Sequence, residues 1–316
     1  MAELDSKDYL SGEQMITVSA PAKINLVFQV APLAPDSYHP VNSLYLELDL
    51  RDSVSLVGTS ENQPISITVR SATLPLRHVN SVPTDQSNLV YTVAERMFSL
   101  VGEQLSGFEI LIDKTIPVAG GMAGGSADAA AMLVACNHYL NQERGKELLT
   151  EAELTELAKE FGSDVPFSLL GGLAIGTNHG EVLQKVPPLG FDCFFVIAIS
   201  QEGLSTPQVF SRFDEIGQSS VFSNLTEPIA DIKALASLMH NDLEAPAITL
   251  LPAIRNTIDV LDLAGAEKAM VTGSGPTVIG LFEDQEQAKK AADLVSDLGL
   301  IALLARPSYR GTRLEN

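Results

Sequence analysis

One segment constrains this chain more than any other. It is Pro117-Val118-Ala119-Gly120-Gly121-Met122-Ala123-Gly124-Gly125-Ser126-Ala127-Asp128, with four glycines and three alanines in twelve residues. It follows a strand-like run and opens a stretch of small residues at helical spacing. Backbone N–H groups in such a loop can point inward with no side chains in the way, and a helix N-terminus adds partial positive charge. That combination can cradle phosphate. It is neither of the two common cradles. A P-loop needs lysine directly after its last glycine, where this chain has Ser126, and the fingerprint G-x-G-x-x-G needs glycine at the position of Ala119. A turn that merely packs a helix close to a strand has the same composition, so composition alone leaves both readings open.

Charge narrows the partners. Forty Asp+Glu against 20 Lys+Arg give a net charge of −20. A nucleic acid requires a basic stripe that displaces counterions from its phosphates, so it is excluded. A small phosphorylated ligand needs only a local pocket of donors. With 45% hydrophobic residues the chain is globular rather than disordered, and its 316 residues suggest two domains. Cys136 and Cys193 are too few for a disulfide scaffold or a CxxC zinc site, and they read as small buried residues in a reduced cytosol. The acidic start Met1–Asp8 is the opposite of a secretory signal. The longest apolar runs, Cys193–Ile199 and Leu300–Ala305, fall far short of the ~18 residues of a membrane helix. A cytoplasmic protein with no membrane partner is expected, its oligomeric state open.

Residues 1–14 lack periodicity and read as a loose tail. Alternation over Ser43–Leu50 places Leu44, Leu46, Leu48 and Leu50 on one face and Tyr45, Glu47 and Asp49 on the other, and similar half-buried strands are predicted around Ile65–Val69 and Phe108–Ile112. Helices are predicted over Asn88–Val101, over Ser126–Leu140, and from Thr150, whose T-x-x-E box with Glu153 marks a start, to Gly162. The second half reads as strand (Phe194–Ile199), helices (Pro207–Phe213, Ile229–Met239, Leu250–Leu263), strand–turn–strand (Ala269–Phe282), a helix capped by Asp284 with Gln287, and a last strand (Leu300–Leu304). Elements mix without βαβ alternation, which predicts the α+β class.

Other polar residues stand in informative places. Lys23 and Asn25 lie inside the apolar run Ser19–Leu26, where an edge strand with lysine reaching solvent is the ordinary outcome. Asp164 stands at a helix start followed by Pro166, where a carboxylate ordinarily caps. The tract Thr272–Thr277 joins two apolar strands and reads singly as a hairpin turn. The five histidines show no metal-ligand spacing, so no metal set is assigned.

The order of these segments says more than any one of them. Ala20-Pro-Ala-Lys-Ile-Asn-Leu26 near the start, the glycine loop in the middle and Gly273-Ser-Gly-Pro276 near the end resemble the kinase superfamily named for galactokinase, homoserine kinase, mevalonate kinase and phosphomevalonate kinase, the GHMP kinases. Ser37-Tyr38-His39, Phe161-Gly-Ser-Asp-Val-Pro-Phe167, Thr206-Pro-Gln-Val-Phe210 and Asn241-Asp-Leu-Glu244 resemble the branch of it that acts on 4-diphosphocytidyl-2-C-methyl-D-erythritol. The resemblance implies an S5-like N-terminal domain (15–177) and a ferredoxin-like C-terminal domain (178–316), with the active site between them. It implies ATP and Mg²⁺, and a small-molecule substrate carrying a cytidine diphosphate group whose 2-hydroxyl is phosphorylated in the non-mevalonate isoprenoid route. On that reading the loop from Pro117 to Ala127 holds the ATP phosphates, and the Ser126 hydroxyl reaches the β/γ-phosphates or Mg²⁺. Asp164 accepts the hydroxyl proton, and Lys23 keeps Asp164 ionised while countering charge on the moving phosphoryl group. Asn25, Tyr38, His39 and Phe210 bind substrate, the Tyr38 and Phe210 rings sandwiching cytosine with His39 at its edge. A kinase of another small alcohol and a ligand-sensing member without turnover are the alternatives. Two departures stand out: Ser37 replaces the usual glycine before Tyr-His, and Asn178-His179 replaces a glycine-containing pair.

Overall fold

A computed structural model of the chain describes residues 15–35, 37–59, 63–118, 120–217 and 219–315. The tail expected at 1–14 and the cradle residue Ala119 lie outside these residues. Among the described residues the strands are β1 (Met15–Val30), β2 (Val41–Gly58), β3 (Ser66–Arg70), β4 (Phe108–Asp113), β5 (Leu173–Asn178), β6 (Val182–Lys185), β7 (Phe194–Ile199), β8 (His240–Asn241), β9 (Lys268–Val271), β10 (Val278–Phe282), β11 (Ile301–Ala305) and β12 (Arg313–Leu314). The helices are α1 (Leu76–Val79), α2 (Leu89–Ser99), α3 (Gly124–Arg144), α4 (Glu151–Ala158), α5 (Val165–Leu170), α6 (Thr206–Ile216), α7 (Ile232–Leu238), α8 (Glu244–Leu250), α9 (Ala253–Leu263) and α10 (Gln285–Asp297). None is long and apolar enough to cross a membrane.

Two sheets organise the chain. One runs β12-β1-β2-β4-β3, with β5 and β6 continuing from β2 and β8 beside β1; the other is the antiparallel β11-β7-β10-β9. This is the α+β class read from the sequence. The division expected at 177/178 falls inside the β5–β6 hairpin, and β12 returns to β1. We propose that the two sheets define the two domains, with the last residues rejoining the first.

β1 is internal to its sheet. Its Ala20, Ala22, Ile24 and Leu26 are fully buried in the main core, while Lys23 and Asn25, in register with Glu47 and Tyr45, take the other face. Pro21 has no N–H for the ladder and sits at a register shift, and a second shift follows Asn25. Bulges of this kind re-aim side chains beside a site. Alanines let α3 lie close on the sheet: Ala127, Ala129, Ala130, Ala131 and Ala135 are buried along with Met132, Leu133, Cys136 and Leu140. The helix runs from Gly124 to Arg144, longer at both ends than its periodicity suggested, and stops at Gly145 in the left-handed conformation.

The second sheet joins the halves. Phe195, Ile197 and Ile199 of β7 pack into the core shared with the first sheet, whereas Val196 and Ala198 pack with Ile254, Ile258, Ala288 and Ala291 of α9 and α10. The helix expected at 250–263 is α9, which begins at Ala253 after the break at Leu251-Pro252; α8, just before that break, is a helix the sequence reading did not name. The half-buried pattern expected for Ser43–Leu50 is also corrected. Tyr45 and Glu47 are as buried as Leu44, Leu46 and Leu48, because Phe167 of α5 covers Tyr45 and backbone N–H groups of Gly172, Arg310 and Gly311 close over Glu47.

Candidate active site

The bulged β1 and the first turn of α5 bring Lys23 and Asp164 together, Nζ to Oδ2 at 3.5 Å. Lys23 is only 5% exposed, so it does not behave as an edge-strand lysine. Its ammonium donates to Asn25 Oδ1 at 2.9 Å and lies 5.3 Å from the centre of the Tyr45 ring. Asn25 Nδ2 donates to Ser43 Oγ at 2.7 Å, and its backbone N–H donates to Thr272 Oγ1 at 2.8 Å. Asn25 is fully buried, and its side chain is engaged in holding Lys23 rather than facing either cavity described below. Asp164 precedes α5 with φ −87° and ψ −15°, and its side chain makes no capping hydrogen bond. A capping aspartate needs extended backbone. The ordinary reading of Asp164 as a cap is therefore not realised, and the carboxylate is left to Lys23 and the cavity.

A cavity of about 940 Å³ opens at this pair, walled by Tyr45, Gly121, Ala123, Ser126, Gly273 and Ser274 and, further out, by Tyr38, His39, His179 and Phe210. A second of about 350 Å³ is lined by Asn88, Lys114, Pro117, Val118, Gly120, Met122, Gly124, Gly125 and Asp128. Gly121 and Ala123 line both, so the glycine loop is the shared wall. The loop turns at Gly121 (φ 66°) and Ala123 (φ 60°) and enters α3 directly. Thr277 Oγ1 donates to Gly120 O at 2.6 Å, and the Lys23 N–H donates to Met122 O at 3.3 Å. The Thr272–Thr277 turn is thus a hairpin and also a brace for the loop. Ala127 is buried beneath it and lines neither cavity.

Sequence reasoning missed a charged cluster under the smaller cavity. Lys114 makes ion pairs with Asp52 and, at 2.7 Å, with Asp128, all three nearly inaccessible. The one local signal is a lysine between a strand and the glycine loop. Two carboxylates share one ammonium, and burial pushes Asp128 up to about 8 against the pull of Lys114, with Asp52 raised by burial too. Asp128 Oδ1 is buried without a hydrogen-bond partner among the described residues. A carboxyl raised in the folded state binds a proton that the unfolded chain has released, so its contribution is full below the unfolded value and is lost as pH rises through about 8. Asp128→Asn cannot lose that proton. Its melting temperature, measured against the parent's, is expected to climb with pH from about 4 and to level off above about 8.

The aromatic residues gather at the outer end of the larger cavity. The His39 ring stacks on Phe210 at 5.3 Å and meets Phe213 edge-on at 5.7 Å, while Tyr38 packs on His179 at 4.9 Å. His39 Nδ1 lies 2.8 Å from the Ala31 carbonyl and so carries the proton it donates there, leaving Nε2 towards Asp214 Oδ1 at 3.3 Å. Ser37 and Asn178, which stand where the resemblance implies a glycine and a glycine-containing pair, keep a glycine-like backbone: Ser37 has φ 68° and Asn178 φ 64°. Asparagine adopts that region readily, whereas serine carries a cost of roughly 1 kcal/mol. His179, unassigned from the sequence, is the residue this hairpin turn delivers to Tyr38.

Residues 88–172 match the GHMP kinases N terminal domain, and residues 222–299 match the GHMP kinases C terminal domain. The chain belongs to the GHMP kinase family. Among GHMP kinases it is 40% identical over 294 residues to the 4-diphosphocytidyl-2-C-methyl-D-erythritol kinase of Nocardia farcinica, covering 90% of this chain and 91% of that one. It is 39% identical over 295 residues to the enzyme of the same name from Cutibacterium acnes, with coverage of 90% and 91%. A crystal structure of 4-(cytidine 5'-diphospho)-2C-methyl-D-erythritol kinase superposes with a TM-score of 0.70 at 26% identity, over 94% of this chain and 99% of that chain. A homoserine kinase structure from Cytophaga hutchinsonii reaches 0.71 at 19% identity, over 97% and 99%, and shares the fold. A kinase of the cytidylyl alcohol and a homoserine kinase superpose equally well, so the backbone does not choose the substrate; the side chains must.

Proposed function

We propose that this GHMP kinase transfers the γ-phosphoryl group of ATP to the 2-hydroxyl of 4-diphosphocytidyl-2-C-methyl-D-erythritol, giving the 2-phosphate and ADP, in the non-mevalonate route to isoprenoid precursors. The observation that carries the reading is Asp164, a helix-start carboxylate that leaves its helix uncapped and meets buried Lys23 beside the glycine loop. Relatives of that name at 40% and 39% identity support the substrate. The buried free thiols of Cys136 and Cys193 suit a reducing cytoplasm.

Phosphoryl transfer asks an enzyme mainly for positioning and charge stabilisation. The smaller cavity takes the nucleoside of ATP, and the loop amides with the α3 N-terminus hold its phosphates. The larger cavity takes the acceptor. Asp164 accepts the hydroxyl proton as that oxygen bonds to the γ-phosphorus and the bond to the bridging oxygen breaks, releasing ADP. Lys23 counters the charge spread over the moving group, and Asn25 keeps its ammonium in place. Ser126, in the first turn of α3 and on the wall of the larger cavity, offers a hydroxyl that suits Mg²⁺, which takes few protein ligands and leans on phosphate oxygens and water. A magnesium ion bound there would neutralise the phosphates.

The cytidine end uses the outer aromatics. Tyr38 is 62% exposed, with His179 packed on its ring and room in the cavity for a base. Stacking a base on one ring is worth roughly 1–3 kcal/mol, a factor of about 5 to 150 in binding. Tyr38→Ala is expected to raise KM for the cytidylyl substrate by that factor and to leave KM for ATP unchanged in steady-state kinetics. A rise in the ATP value alone would move Tyr38 to the donor side. No change in either, with equal turnover of methylerythritol 4-phosphate, would discard the substrate.

A further inference from the structure

Asp164 raises a mechanical question that the reaction itself leaves unanswered. α5 has six residues; Val165, Pro166 and Phe167 bury its first turn, but no capping hydrogen bond of the Asp164 side chain fixes that residue at its start. Its other end is held unusually firmly. Thr312 Oγ1 donates to the Ser168 carbonyl at 2.7 Å, and the Ser168 N–H donates to the Asp164 carbonyl at 3.1 Å. The Glu47 carboxylate, with no exposed surface, accepts from the N–H groups of Gly172 (2.7 Å), Arg310 (2.9 Å) and Gly311 (3.0 Å), and Arg51 donates to its second oxygen at 3.1 Å. Gly311 (φ 60°) and Gly171 (φ 63°) approach so closely that a Cβ on Gly171 would collide with both Gly311 and Glu47. Glu47 lies on the same face of the sheet as Lys23, its register partner.

We propose that the C-terminal strap, residues 308–314, is a positioning device for Asp164. Thr312 and Glu47 anchor the carbonyl end of α5, so the residue at its other end needs no cap and keeps its carboxylate against Lys23. This rests on the reading of Asp164 as the proton acceptor. It adds that Thr312 and Glu47, which line neither cavity, act on the rate through it.

Thr312→Val keeps the shape and removes the hydroxyl; Thr312→Ser keeps the hydroxyl. A misplacement of about an ångström at a reacting group can cost 100-fold. Thr312→Val is therefore expected to lower kcat about 10- to 100-fold with both KM values within about twofold, and Thr312→Ser to restore kcat to within about twofold of the parent. In an Asp164→Asn background, Thr312→Val should cost nothing more. A lowered melting temperature with kcat unchanged, equal losses from valine and serine, or an equal further loss in the Asp164→Asn background would each overturn the proposal. If Asp164→Asn alone keeps full turnover, the reading of Asp164 fails instead; if that variant is impaired while Thr312→Val is fully active, the strap alone fails.

Discussion

Asp164→Asn is expected to lower kcat by about 10²- to 10⁴-fold, the usual worth of a positioned general base, while the protein melts close to its normal temperature. The structure explains why the two effects separate. Asn is nearly isosteric, and Asp164 makes no capping hydrogen bond that the change could remove. Its ion pair with Lys23 is 3.5 Å long, and the amide oxygen of the replacing Asn can still accept from that buried ammonium, so the change costs the fold little. Steady-state kinetics beside thermal melting check this. Near-parental turnover would take Asp164 out of the mechanism.

Gly125→Val is expected to abolish ATP binding and to leave the nucleotide-free melting temperature almost unchanged. A Cβ on Gly125 meets nothing within 4 Å, and the residue lies in α3 on the wall of the smaller cavity. Added methyl groups therefore enter the space assigned to the nucleotide without disturbing protein packing. Its neighbour behaves differently: a Cβ on Gly124 would press on Ile116 Cγ2 at 3.2 Å and Lys114 Nζ at 3.3 Å, so a substitution there disturbs the protein as well. Calorimetric ATP affinity surviving in Gly125→Val would place the phosphates elsewhere.

Local signals were legible, and long-range ones were not. The capping box at Thr150 and Glu153, the Asp284 cap on Gln287 and the continuously apolar β7 all appear where the sequence puts them, because each depends on residues a few positions apart. Lys23 and Asp164 could be named through motif order alone. Nothing near Lys23 tells a buried lysine from one that reaches solvent, since Asn25, Tyr45 and Asp164 come from three elements. Tyr45 and Glu47 read as a solvent face because α5 and the C-terminal strap, which cover them, are distant in sequence. The Asp52–Lys114–Asp128 cluster escaped for the same reason. Asn25 was read as a substrate ligand, and only the structure reveals its amide occupied by Lys23 and Ser43.

On the proposed function, the outer aromatics and the Lys23–Asp164 pair together choose one alcohol. ADP release, followed by a coupled assay across 4-diphosphocytidyl-2-C-methyl-D-erythritol, methylerythritol 4-phosphate, mevalonate and homoserine at equal concentration, tests it most directly. The structure predicts turnover with the cytidylyl alcohol, one ADP for each new 2-phosphate, and none above background with the other three. Equal turnover of any of those three, or no ADP release from the cytidylyl alcohol with ATP and Mg²⁺ present, would contradict it.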